Sequence, residues 1–368
     1  MSKRKHKAST APSPKVTPPA TITPQSRAKR AAPQRMPLIR QRSTWLISGL
    51  VLVGVLAVGL FFWRRSPQPN AATTAQITTT PALTVQRPIG SVNACRTFPT
   101  FVAALGFSRT AVISTEARPQ KGPTLIEQDA NGNITRTYQH PSWTTAGYMG
   151  PPVVDKFGNI FLIPAPWINV LDNPTAKQNI IYKIDTKTGV MAEYANLPAA
   201  AEPRAENPYG LLGLSYDCDT QSLYATSVAG STRDQEVGRI FQLDATTGKV
   251  LDQVDNIDAF GVMGFNGAKG KRIYFGMART SDIRSILLDD QGHFVDESRQ
   301  EFSLAGLGAH GDEKGQRLAV DVDKTLSVRS LEFDFNLIAP TELRRTLFKY
   351  TYNANSDTWS LVDSVPLQ

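Results

Sequence analysis

A short glycine-framed step recurs five times along this chain, and it narrows the fold further than any other feature. It reads Ala103-Ala104-Leu105-Gly106, Gly147-Tyr148-Met149-Gly150, Gly210-Leu211-Leu212-Gly213, Gly261-Val262-Met263-Gly264 and Gly308-Ala309-His310-Gly311, at intervals of 44, 63, 51 and 47 residues. Short β-branched or aromatic runs follow each step, at 111–116, 159–164, 222–228, 272–278 and 317–323, and read as second strands. A further hairpin turn closes each repeat: Asp129-Ala130-Asn131-Gly132, Asp185-Thr186-Lys187-Thr188-Gly189, Asp244-Ala245-Thr246-Thr247-Gly248, Asp289-Asp290-Gln291-Gly292 and the turn at 353–357. Asp caps such turns and Gly takes the positive φ they need. Repeats of this length made only of strands indicate propeller blades.

Five blades of four strands use residues 103–365 and give an all-β β-propeller, assigned to residues 98–368. Six blades is the alternative, but residues 66–102 are few and rich in Pro and Thr. The last repeat offers two third strands, 326–335 and 347–352, with 336–345 inserted between them. The run 82–86 is a candidate outer edge strand that blunts an exposed sheet edge.

Residues 150–162, GPPVVDKFGNIFL, resemble the opening of an NHL-type blade. IYKIDTKTGV at 181–190 and IFQLDATTGKV at 240–250 are similar to the hairpins of quinoprotein-like and surface-layer-type propellers. The resemblance covers about two blades well and implies a fold superfamily, whose NHL-like members often carry six blades. Quinoprotein repeats carry a blade-docking tryptophan where this chain has Glu193-Tyr194 or Asp252-Gln253, and adjacent cysteines are absent. No quinone is therefore expected, and a divalent metal is the one cofactor left open. Metal-dependent lactonases of the six-bladed type use a central ring of Glu, Asn and Asp, whereas Phe107-Ser108-Arg109 offers no carboxylate.

Before the repeats, Trp45 to Trp63 is an uncharged apolar run within residues 43–65. At ~1.5 Å per residue it nearly spans a ~30 Å hydrocarbon core as a helix. A signal peptide competes with this reading, but its apolar region is ~7–15 residues and a small-x-small site follows it. Eleven Lys/Arg precede the run, which predicts a single-pass anchor in the cell membrane with a cytoplasmic N-terminus and an extracytoplasmic propeller. Residues 1–42 read as a disordered basic tail and 66–97 as a Thr/Ala/Pro-rich linker.

The net charge of +8 belongs to the leading segment. Glu116 is the first acidic residue, so residues 1–115 carry 16 of the 40 basic side chains and none of the 32 acidic ones. The remaining 24 against 32 leave residues 116–368 at −8, which argues against a nucleic-acid partner for the folded domain. Anionic lipid heads are the expected contact of the tail.

Cys95 and Cys218, the two cysteines, are candidates for a disulfide in an oxidising compartment. Long connections gather on one face of a propeller, and loops on a rigid scaffold carry binding groups. Tyr148, Trp167, Tyr209, Phe260, His310 and Asp312 are the candidate ligand-binding residues there. His310 beside Asp312 also suits a divalent metal or acid/base work. No residue pattern marks a catalytic group. The expected function is a binding module for an envelope protein, glycan or other ligand. The alternative is a metal-dependent hydrolase, lactonase- or esterase-like, acting at the central channel.

Overall fold

In the computed structural model, residues 87–116, 120–166, 170–202, 206–309, 311–321, 323–337 and 344–367 are described. All belong to one compact unit, Ala82–Gln368. The apolar segment 43–65, the basic tail and the candidate strand 82–86 lie outside the described residues, among which no helix is long and apolar enough to cross a membrane.

Five antiparallel sheets make a five-bladed propeller. The chain enters through β1 (Gly90–Ser91) and a short helix, α1 (Thr100–Ala104). Blade 1 follows with β2 (Val112–Ser114), β3 (Thr124–Gln128) and β4 (Ile134–Tyr138). Blade 2 is β5 (Val153–Val154), β6 (Ile160–Leu162), β7 (Ile180–Ile184) and β8 (Met191–Asn196). Blade 3 is β9 (Leu211–Asp217), β10 (Ser222–Ser227), β11 (Arg239–Asp244) and β12 (Val250–Asp255). Blade 4 is β13 (Ala259–Gly267), β14 (Gly270–Met277), β15 (Asp282–Leu287) and β16 (Arg299–Ser303). Blade 5 is β17 (Lys314–Val320), β18 (Thr325–Leu331), β19 (Arg345–Asn353) and β20 (Thr358–Leu367).

Middle repeats follow the sequence pattern closely because their turns are chemically explicit. Asp155 Oδ1 accepts from the backbone N–H of Phe157 and Asn159, both at 2.8 Å. Asp185 and Asp244 do the same for Thr188 and Thr247, at 2.9 and 2.7 Å. Gly158, Gly189 and Gly248 complete these turns at φ of +82°, +69° and +75°.

Both terminal repeats depart from the expected four strands. Ala103-Ala104 lies in α1, not in an inner strand, because Pro99 precedes the helix while Phe101 and Val102 are drawn into the core between blades 1 and 2. Blade 1 therefore has three strands. In blade 5 the run at 317–323 is the first strand, so 326–335 contains the second and 347–352 the third, and the apparent insertion is the loop between them. Its first hairpin turns on Lys324, a non-glycine residue at φ +66° whose N–H bonds Asp321 O at 3.0 Å. That turn has no glycine, which is why the pattern slips by one strand there.

The Thr/Ala/Pro-rich linker also ends before residue 97. Arg87–Thr97, expected as the end of the linker, crosses the tight-turn face as a strap. Arg87 pairs with Asp219 and Asp290 at 3.6 and 3.2 Å. Strand β1 adds to the inner edge of β13, Gly90 opposite Asn266 and Ser91 opposite Phe265. Cys95 is disulfide-bonded to Cys218 with their Cα atoms 5.8 Å apart, within the span a bridge needs. Thr97 then bonds Asp155 O and Lys156 O at 3.2 and 2.6 Å.

Blades are joined by aromatic side chains that reach the next blade's outer turn. Trp143 Nε1 donates to Gly189 O at 2.8 Å, Tyr194 to Ala245 O at 2.7 Å and Tyr224 to Gly292 O at 2.7 Å. Burying each ring contributes roughly 1.5–3 kcal/mol, and the bond satisfies its polar end. Between blades 5 and 1 the joint is polar: Glu116 Oε1 accepts from Arg317 Nη1 at 2.6 Å and lies 3.5 Å from Arg329 Nη1. Among the described residues no hydrophobic cluster joins those two blades.

Candidate functional site: the central channel

Four inner strands, β5, β9, β13 and β17, enclose a cavity of about 470 Å³, within the range of small-ligand sites. Their close approach depends on the Gly261-Val262-Met263-Gly264 step. A Cβ on Gly261 would stand 2.3 Å from Gln316 O of blade 5, and one on Gly264 would stand 2.5 Å from Val92 Cγ2 of the strap. One glycine thus admits the neighbouring inner strand and the other seats the strap. Among the described residues blade 1, one strand short, contributes none to the lining.

Asn93 and Arg96 of the strap line the channel on the tight-turn side. Arg96 donates to Asn93 O and Oδ1, both at 3.0 Å, and burial lowers its pKa from the ordinary arginine value. Apolar side chains of the inner strands, among them Val153, Leu212, Leu214, Val262 and Leu318, make most of the wall. At the loop-side rim Phe333 stands 5.1 Å from Tyr209 and 4.7 Å from Phe260, ring centre to centre. Tyr209 donates to Asn336 O at 3.0 Å, and burial raises its pKa well above the phenol range. Phe335, next in the rim, holds a left-handed φ of +55° and takes Arg279 over its ring at 5.2 Å.

Of the candidate contacts, Tyr209 and Phe260 meet at this rim. Tyr148 is buried, its N–H bonded to Asn173 Oδ1 at 3.0 Å, and it does not line the channel. Asp312 is exposed ahead of β17, away from the lining. Trp167 and His310 lie outside the described residues. Arg279, on a loop-face connection, ties two blades together by donating to Asp258 Oδ2 at 2.6 Å and to Arg233 O at 2.8 Å. Among the described residues no three His, Cys, Asp or Glu side chains converge closely enough to hold one metal ion.

Three arginines share the face of blade 5 turned toward blade 1. Arg317 on β17 is directly opposite Arg329 on β18. Arg329 is in turn opposite Leu347, and Arg345 precedes Leu347 by two residues on the same face of β19. Arg317 and Arg345 line the channel. Arg317 donates to Glu116 and, against the opposing effect of burial, holds that carboxyl below its usual 4.5, with help from Arg329 and Arg345. Burial lowers the pKa of Arg345, and the charges of Arg317 and Arg329 lower it further. A guanidinium still remains cationic at neutral pH. Sequence inspection missed this cluster because its members are 12 and 16 residues apart and meet only through strand register.

No family model matches the chain, and no curated protein matches it. Solved structures share its fold at low identity. A putative 6-phosphogluconolactonase from Bacteroides uniformis is 12% identical with a TM-score of 0.42, covering 70% of this chain and 68% of its own. A luciferin-regenerating enzyme is 12% identical with a TM-score of 0.41, covering 70% and 80%. Regucalcin from Agrobacterium tumefaciens, a calcium-binding protein, is 13% identical with a TM-score of 0.37, covering 62% and 75%. The fold of this chain is read from its own five sheets, which make a β-propeller.

Proposed function

We propose that the chain is an anchored, extracytoplasmic propeller that binds a small ligand in its central channel. Residues 43–65 serve as the anchor in this reading, and the Cys95–Cys218 bridge supports an oxidising compartment for the domain. The observation that carries the proposal is the channel itself, a cavity of about 470 Å³ with a mixed apolar and polar wall, a disulfide-tied strap on one side and an aromatic rim on the other. An apolar cavity with a few convergent polar groups is the usual form of a small-molecule site.

A hydrolase acting on an ester or lactone in the same channel is the second reading. It is favoured by the guanidinium groups of Arg317 and Arg345 in the wall, since fixed cations can stabilise the oxyanion of acyl transfer. Both readings are tested on the full chain with benzyl alcohol, a neutral water-soluble probe, by saturation-transfer NMR. Binding is expected, and Leu212→Trp, which fills the channel, is expected to abolish it. Equal signals from parent and variant would remove the channel as the site. Phenyl acetate consumed faster by the parent than by Leu212→Trp would decide for the hydrolase.

A further inference from the structure

We infer that the channel's ligand is a small organic anion with an apolar body, its carboxylate or phosphate held by Arg345 together with Arg317, with the charge of Arg329 beside them. The inference rests on the channel being a ligand site, and it names the ligand's class. Three guanidiniums on neighbouring strands face one carboxylate, that of Glu116. Like charges directly opposite in a sheet oppose its stability, so three cations on one face are a poor structural device. A bound anion relieves that repulsion.

Hydrogen bonding points the same way. Arg317 gives Nη1 to Glu116, while Arg345 lines the channel with no carboxylate paired to it among the described residues. A guanidinium presents two donors in a planar fork that matches carboxylate or phosphate oxygens. Asp321 and Glu332 are the carboxylates in the channel lining. Asp321 lies four residues beyond Arg317 along blade 5, roughly 13 Å at strand rise, toward the strap side. Glu332 follows β18 on the loop side, so the arginine pair sits between them. Phe260, Val262 and Leu318 provide apolar surface for the ligand's body.

Three probes of nearly equal size test the inference on the full chain: phenyl phosphate, benzoate and benzyl alcohol. At least one anion is expected to bind about tenfold or more tightly than the alcohol, with the preference shrinking as salt is added. The better of phenyl phosphate and benzoate identifies the head group. Arg345→Gln is expected to cut the anion-to-alcohol preference by about tenfold, with the ligand-free melting temperature equal or higher because repulsion is relieved. Alcohol and anions binding alike would overturn this inference while leaving the channel site standing, and no binding of any probe would overturn both. A lower melting temperature for Arg345→Gln with undiminished anion preference would make Arg345 a structural cation and refute its role here.

Discussion

Opening the Cys95–Cys218 bridge should destabilise the propeller by a calculable amount. The bridge spans a sequence separation of 123 residues, enclosing blades 1 and 2 and the inner strand of blade 3. In the chain-entropy treatment a loop of that length loses about 16 cal/mol/K on cross-linking, or about 4.9 kcal/mol at 25 °C. Contacts that hold the strap without the bridge, such as β1 on β13 and Thr97 on Lys156, survive reduction, so the effect falls mainly on the unfolded chain. At about 2.1 cal/mol/K per residue, the Ala82–Gln368 unit has an unfolding entropy of about 0.6 kcal/mol/K. The expected drop in melting temperature is therefore about 8 °C. The assay is calorimetry of the full chain with and without a phosphine reductant, with a thiol titration confirming two free cysteines. A drop below about 2 °C with both thiols titrated would refute the reasoning, because the tether would then carry no loop-closure stabilisation.

Lys271 Nζ lies 2.6 Å from Asp217 and 2.7 Å from Asp219, with its side chain and that of Asp217 both 1% exposed; Lys271→Met should cost about 3–5 kcal/mol by leaving a buried carboxylate unpaired, measured by urea denaturation. Gly261→Ala should destabilise by at least about 2 kcal/mol, since its Cβ would meet Gln316 O at 2.3 Å, whereas an equal substitution at Gly132, with nothing within 4 Å, would cost only the strain of its positive φ. Burial opposes the charge of Asp357, yet the Tyr352 hydroxyl and Arg299 outweigh it and hold the carboxyl below its usual 3.8. A depressed folded value means that this stabilisation is present above about pH 4 and is lost as pH falls further. The stability gap between the parent and Asp357→Asn should accordingly close in acid, and a gap constant down to pH 2 would contradict the assignment.

Fold class was legible because its signals are local. An Asp two or three residues before a backbone N–H, followed by a glycine of positive φ, states a hairpin wherever it occurs; blade 2 carries that statement at 155–158 and 185–189, blade 3 at 244–248 and blade 4 at 289–292. The glycine steps of those blades mark strands that approach the axis, as Gly261 does against Gln316. Where the local signal is missing the reading slips. Lys324 turns a chain without glycine, and α1 takes residues that resemble an inner strand because burying Phe101 and Val102 decides their conformation.

The site was legible only at its aromatic rim, Tyr209 and Phe260. Its other parts arise from long-range register. Residues 87–97, the end of the expected linker, become a strap because a cysteine 123 residues later and an unpaired β13 edge hold them. Arg317, Arg329 and Arg345 become one cationic face only when β17, β18 and β19 align, and Arg317 and Arg345 reach the channel beside a blade 1 that has three strands among the described residues. The sequence by itself therefore determined the repeating hairpins and the class of fold, since turn chemistry and side-chain alternation act over a few residues. The tertiary structure alone decided what the channel can hold, because its charge, its strapped side and its open wall come from residues that meet only after the ring has formed.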